Sequence, residues 1–129
     1  MPTAVATRPW SVLVVEDDAD TSKQLRRFLE HSGYLVRCAA TVQEAIEKLS
    51  ASSCDALVSD IGLPDGTGWD LMEKAHLPAS VYAVAMSGFA MQTHRIKSLE
   101  AGFRQHLTKP FNPHDLIRLL EEARLRETN

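Results

Sequence analysis

Short apolar runs alternate along the chain with longer stretches whose apolar positions fall three and four residues apart. Ser11-Val12-Leu13-Val14-Val15 is a continuous, largely β-branched run of strand length, and it stops at Glu16-Asp17-Asp18. The spacing of Leu25, Phe28 and Leu29 predicts a helix from Ala19 to His31, with Gly33 where a C-terminal glycine belongs. Tyr34 to Ala39 reads as a second strand, interrupted by Arg37. Thr41-Val42-Gln43-Glu44 then reads as a capping box, opening a helix with Val42, Ala45, Ile46 and Leu49 on one face. Ala56-Leu57-Val58 forms a third strand that ends at Asp60, and Gly62, Pro64 and Gly66 break the chain after it. A helix from Thr67 to Ala75 carries Trp69, Leu71 and Met72. Val81 to Met86 is a fourth apolar strand ending at Ser87-Gly88. A weaker helical pattern from Ala90 to Ala101 sets Ile96 and Leu99 inward, with Gly102 as its stop. Arg104 to Leu107 is the fifth and most polar strand. Asn112-Pro113 supplies an N-cap and a proline at the first helical position for a last helix that buries Leu116, Leu119, Leu120 and Ala123.

Strand and helix thus alternate five times, which implies an α/β fold with a parallel sheet, helices on both faces and right-handed crossovers. Strands one, three and four are unbroken apolar runs, as expected where both faces are covered. Strands two and five are shorter or more polar and suit the edges. The order 2-1-3-4-5 satisfies this: a flavodoxin-like, doubly wound (βα)5 arrangement with a five-stranded parallel sheet.

In such sheets ligands bind beyond the carboxyl ends of the strands. The first strand ends at Glu16 and Asp17, the third at Asp60, the fourth at Ser87 and the fifth at Lys109. Taken singly these are bland. Asp17 and Asp18 would cap a helix, Ser87 would be a turn residue and Lys109 a solvated surface lysine. A parallel sheet brings them to one edge, where three carboxylates repel one another until a proton or a cation relieves them. Oxygen donors without soft ligands favour Mg²⁺ or Mn²⁺ over zinc. Lys109 and the Ser87 hydroxyl suit phosphoryl oxygens, and a carboxylate nucleophile would give an aspartyl phosphate.

Composition narrows the alternatives. The chain is 44% hydrophobic and 24% charged, with a net charge of −3, which gives no reason to expect nucleic-acid or membrane-surface binding. The arginines of the last helix alternate with Glu121, Glu122 and Glu127, a solvated face rather than a nucleic-acid patch. No apolar run approaches membrane length, and the N-terminus lacks a signal-peptide pattern. Cys38 and Cys54 form no C-x-x-C pair, so free thiols in a cytoplasmic setting are expected, and the five histidines share no zinc-ligand spacing.

Four segments in order, Val14-Val15-Glu16-Asp17-Asp18, Ser59-Asp60-Ile61-Gly62-Leu63-Pro64-Asp65-Gly66, Met86-Ser87-Gly88 and Leu107-Thr108-Lys109-Pro110-Phe111, each lie at a strand end. In these the chain resembles the receiver domains of two-component response regulators, over residues 11 to about 125. The resemblance implies a regulatory domain rather than a metabolic enzyme, one that catalyses only its own phosphorylation and dephosphorylation. Asp60 would accept a phosphoryl group from a phosphohistidine on a histidine kinase or histidine phosphotransfer domain. Asp17 would ligate Mg²⁺ directly, Glu16 through a water, and Gly62 through its main-chain carbonyl. Ser87 and Lys109 would bind the phosphoryl group, and the Lys109-Pro110 peptide would be cis. Output would pass through the face formed by the fourth helix, fifth strand and fifth helix to a downstream target. There the chain departs from the commoner pattern, because His106 stands where Tyr or Phe is usual. His106 reads either as a partly exposed edge histidine in a partner contact or as a pH-sensitive switch. The span from Asp60 to Ser87 is short for the family, so a trimmed third helix or following loop is expected.

Residues 1–10, with two prolines, read as a tail or linker end before a domain over 11–129. Nothing resembling an output module follows the last helix, which fits a stand-alone regulator or the receiver part of a hybrid histidine kinase. Two alternatives come from other classes. One is a pseudo-receiver used for protein contact, against which the intact acidic set and Lys109 argue but which His106 keeps open. The other is a flavodoxin-like cofactor binder, against which Glu16-Asp17-Asp18 would repel a phosphate.

Overall fold

The computed structural model describes residues 8–88 and 92–128. Its elements are β1 (Ser11–Val15), α1 (Ala19–His31), β2 (Leu35–Ala39), α2 (Val42–Ala51), β3 (Ala56–Asp60), β4 (Gly62–Leu63), β5 (Gly66–Thr67), α3 (Gly68–Ala75), β6 (Tyr82–Ser87), α4 (Gln92–Ala101), β7 (Gln105–Thr108) and α5 (Pro113–Thr128). Five strands form one sheet in the order β2-β1-β3-β6-β7, all parallel. This is the expected 2-1-3-4-5 order, with the short β4–β5 hairpin inserted after β3. The hairpin is antiparallel, Gly62 opposite Thr67 and Leu63 opposite Gly66, and the glycine-proline turn of the sequence gave no sign of it.

Alternation along the strands divides the core in two. Val12, Val14, Val58, Val84 and Met86 pack with Leu25 and Leu29 of α1 and with Leu116 and Leu120 of α5. Leu13, Val15, Leu57, Ala83 and Ala85 pack on the other face with Val42 and Ala45 of α2, Leu71 of α3 and Phe103. β3 and β6 are buried along their whole length, whereas the edges β2 and β7 are partly open. Both thiols are free. Cys54 is buried, and burial pushes its thiol up to about 11, so it behaves as a small apolar side chain. No helix among the described residues is long and apolar enough to cross a membrane.

Helix ends follow local chemistry. Asp18 caps α1, Asn112 accepts from the His114 N–H ahead of α5, and Gly33 takes a φ of 96° after the Ser32 cap. At α2, Thr41 accepts from the Glu44 N–H, but the Glu44 carboxylate bonds Ala40 N, one residue before the position a capping box requires. A reciprocal box forms instead at Thr67 and Asp70 of α3. That helix has eight residues, against 10 to 16 for the other helices.

The expected inward face of α4 is wrong. Ile96 and Leu99 are 46% and 61% exposed, and Ser98 is the buried residue. The start of that helix expected at Ala90 lies outside the described residues, as do residues 1–7 of the expected tail. Residues 8–10 are held against the domain. Arg8 makes a two-pronged contact with Asp55 at 3.1 Å, and the buried Trp10 donates its indole N–H to Glu127 at 3.2 Å.

Candidate functional site

Each strand end is fixed by backbone pairing that runs past the apolar run. The Glu16 N–H bonds the Ala39 carbonyl at 2.9 Å, Ile61 N bonds Met86 O at 2.9 Å, and Lys109 N bonds Ser87 O at 2.7 Å. The side chains at these ends are therefore carried by the sheet itself, not by free loops.

The acidic run after β1 divides its labour. Asp18 accepts from the Thr21 N–H at 3.0 Å and the Thr21 hydroxyl at 2.5 Å, and these bonds hold its carboxyl below the usual range. It is the helix cap. Glu16 is buried and Asp17 exposed, and each sets a carboxylate oxygen near Asp60, all within 4.8 Å of one another. Asp60 is 9% exposed.

Lys109 enters this group from the residue just beyond β7. Its Nζ donates to Glu16 Oε1 at 2.5 Å and to Asp60 Oδ2 at 2.8 Å. Burial of the lysine opposes its charge, but the bonds and charges of Asp60 and Glu16 outweigh it, so the ammonium is held above its ordinary value. One cation thus spans two of the three carboxylates. The third carboxylate and the outer oxygens form a donor set that a hard, oxygen-seeking cation would fit.

Behind Asp60 the backbone is packed too closely for a side chain. A Cβ on Gly68 would stand 2.7 Å from the Asp60 carbonyl oxygen, and Gly68 N bonds Ile61 O at 2.8 Å. Asp65 pins the hairpin to α2 by accepting from Val42 N at 2.8 Å and Gln43 N at 3.0 Å. Those bonds lower its carboxyl below the ordinary range. Gly62, two residues beyond Asp60, is exposed, and a Cβ there would meet nothing within 4 Å.

The structure therefore gathers Glu16, Asp17, Asp60 and Lys109, with Gly62 two residues beyond Asp60 at the start of β4. Ser87, one residue past the Asp60–Met86 pair on the neighbouring strand, is buried. Its Oγ is 2.8 Å from His106 Nε2. The other ring nitrogen of His106 lies 3.2 Å from Ser98 Oγ, so the ring is turned into the fold from β7. The Lys109-Pro110 peptide is cis. Sequence reasoning did not find Ser98, Gly68 or the capping role of Asp65. A serine in a helix and an aspartate in a turn carry no signal of partners on other elements, whether 8 positions away, as His106 is from Ser98, or more than 20, as Val42 and Gln43 are from Asp65. The Gly66-Thr67-Gly68 spacing was the one available hint of a close approach.

Known proteins resemble the chain in sequence and in fold. An uncharacterised 14.6 kDa protein from the sodA1 3′ region of Leptolyngbya boryana is 37% identical over 114 residues, covering 86% of this chain and 87% of that protein. The KDP operon transcriptional regulatory protein KdpE of Escherichia coli is 32% identical over 116 residues, which span 90% of this chain but only 49% of KdpE. Among solved structures, a CheY-like response regulator receiver domain protein from Methanospirillum hungatei superposes with a TM-score of 0.87 at 32% identity, covering 94% of this chain and 98% of that one. The response regulator receiver domain model matches residues 12–121, and with the sheet order and the strand-end site in place the chain belongs to that family.

Proposed function

We propose that this domain accepts a phosphoryl group on Asp60 from a phosphohistidine of a partner kinase or phosphotransfer protein, and that the modification alters its surface. The observation that carries the reading is Lys109 Nζ held between Asp60 and Glu16 while Asp17 stands within reach of both. An Asp60 oxygen attacks phosphorus as the bond to the donor imidazole breaks, and the departing imidazole keeps its electron pair. Lys109 neutralises charge on the transferring group, and the Ser87 hydroxyl binds one of its oxygens. Glu16, Asp17, Asp60 and the Gly62 carbonyl are the groups suited to Mg²⁺. When bound, the ion would supply the charge neutralisation that three carboxylates and a phosphoryl group require.

A groove of about 660 Å³ between α1 and the start of α5, lined by Gln24, Leu25, Phe28, Pro110 and Phe111, lies beside Lys109 and gives a partner helix a place to bring its phosphohistidine. The downstream face is α4, β7 and α5, where Ile96 and Leu99 stand exposed. The domain, with residues 8–10 packed onto it, works in the cytoplasm and requires no nucleic-acid or membrane contact of its own.

Incubation with Mg²⁺ and acetyl phosphate tests the reading. The intact mass rises by one phosphoryl group, the increase disappears with EDTA, and Asp60→Asn abolishes it. An unchanged mass in a folded protein, tried with several small phosphodonors, would leave the pseudo-receiver in its place.

A further inference from the structure

Four side chains from four elements form one hydrogen-bonded line behind the site. The Trp69 indole N–H on α3 donates to Ser98 Oγ on α4 at 3.0 Å. Ser98 Oγ lies 3.2 Å from His106 Nδ1 on β7, and His106 Nε2 lies 2.8 Å from Ser87 Oγ on β6. Direction follows from what each group can do. An indole nitrogen only donates, so Ser98 accepts from Trp69. Ser98 is 1% exposed, and its own proton needs an acceptor; of its two side-chain partners only an imidazole nitrogen can accept. Nδ1 is then the acceptor and Nε2 carries the hydrogen, which it donates to Ser87 Oγ. In the reverse tautomer Nε2 would accept the Ser87 proton, and that hydroxyl would have none to give a phosphoryl oxygen.

We infer that Trp69 and Ser98 are positioning residues that fix His106 as its Nε2–H tautomer, so that the Ser87 hydroxyl is held as an acceptor toward His106 and a donor toward the phosphoryl group. The inference rests on the proposed phosphorylation of Asp60, and it gives His106 a polar task where relatives commonly place an aromatic ring. It also ties the phosphoryl-binding hydroxyl to α3 and α4 by hydrogen bonds. The surroundings suit a neutral ring. Burial, then Arg95 and His94 of α4, hold the imidazolium below its ordinary range. On the far side Lys97 Nζ sits 4.4 Å over the Trp69 ring and His94 meets that ring edge-on at 5.4 Å, which fixes the indole that starts the line.

Ring-nitrogen NMR of the ¹⁵N-labelled full chain at pH 7.5, with His106 assigned from the signal missing in His106→Gln, reads the tautomer directly in the unphosphorylated protein. The expected spectrum has a protonated Nε2 and an unprotonated Nδ1. Ser98→Ala and Trp69→Phe each shift the ring toward a mixture, and Ser98→Thr, which keeps the hydroxyl, preserves it. A protonated Nδ1 in the parent, or ring shifts unmoved by Ser98→Ala in a protein whose amide spectrum remains folded, would overturn the inference. In the second arm, Ser98→Ala slows phosphorylation by acetyl phosphate about fivefold, the effect of one misdirected hydrogen bond, while Ser98→Thr restores the rate. Equal rates for Ser98→Ala and the parent would overturn the relay's part in transfer. A parent that takes no phosphoryl group would overturn the Asp60 reading as well as that part, with the tautomer still decided by the first arm.

Discussion

At the scale of single residues, the site is a problem of charge. Glu16 is almost fully buried and shares Lys109 with Asp60. Removing the ammonium leaves two carboxylates facing each other with little water to screen them. Lys109→Ala should lower stability by about 2 kcal/mol, less than the roughly 3–5 kcal/mol of a fully buried pair because Lys109 keeps some contact with solvent. Added Mg²⁺ should recover part of the loss, as urea unfolding with and without the ion would show. His106 offers a second measurement. Its folded value is depressed, first by burial and then by Arg95 and His94. The unfolded chain therefore binds a proton that the folded chain resists. The stabilisation is full above about pH 6.5 and is lost as pH falls through the folded value. His106→Gln should flatten the fall in stability below pH 6.5, seen by comparing unfolding midpoints at pH 7.5 and 5.5.

Elements hold these residues in place through contacts of very different legibility. Strand ends were readable because β1, β3 and β6 are unbroken apolar runs, and a parallel sheet leaves little choice about where their last residues go. The segment after Asp60 was not, since Gly62–Thr67 contains the residues of any turn. Its shape comes from Asp65, which bonds two amides of α2 more than 20 positions away in the chain. The weak periodicity of α4 pointed to Ile96 and Leu99, yet Ser98 is the residue packed inside. Its burial is made tolerable by Trp69, 29 positions away on α3, and by His106, eight positions away but on the next strand, and helical periodicity signals neither. Thr67→Ala removes one arm of the α3 capping box and should cost about 1 kcal/mol. Gly68→Ala should cost more, since its Cβ must displace the Asp60 carbonyl, and should slow phosphorylation as well. Thr67→Ala, read in the same assay, separates loss of helix stability from displacement of Asp60.

Across the whole molecule, the first described residues and the end of α5 close on each other. Arg8 reaches Asp55 and Glu127, Trp10 bonds Glu127, and Tyr34 bonds Glu121 beside Arg124. What the sequence presents as a proline-bearing tail is, from Arg8 onward, part of the body of the fold. Burial works against the Asp55 charge, but hydrogen bonds from Arg8 and Ser11 prevail and hold its carboxyl below the ordinary value. A lowered carboxylate contributes stability above about pH 4 that is lost as pH falls through the folded value. Asp55→Asn should flatten the acid limb of the stability curve, measured by denaturant unfolding between pH 5 and 3. The clasp lies at the amino ends of the strands, so this variant should leave phosphorylation of Asp60 unchanged.

In the proposed function the strand-end cluster directs a phosphoryl group to one carboxylate among three. The most direct measurement is reductive trapping. The protein is treated with Mg²⁺ and acetyl phosphate, the acyl phosphate is reduced with borohydride to homoserine, and the site is located by peptide mass spectrometry. Homoserine is expected at position 60, absent without Mg²⁺ and absent in Asp60→Asn. Homoserine at position 17 instead, or none in a folded protein, would contradict it.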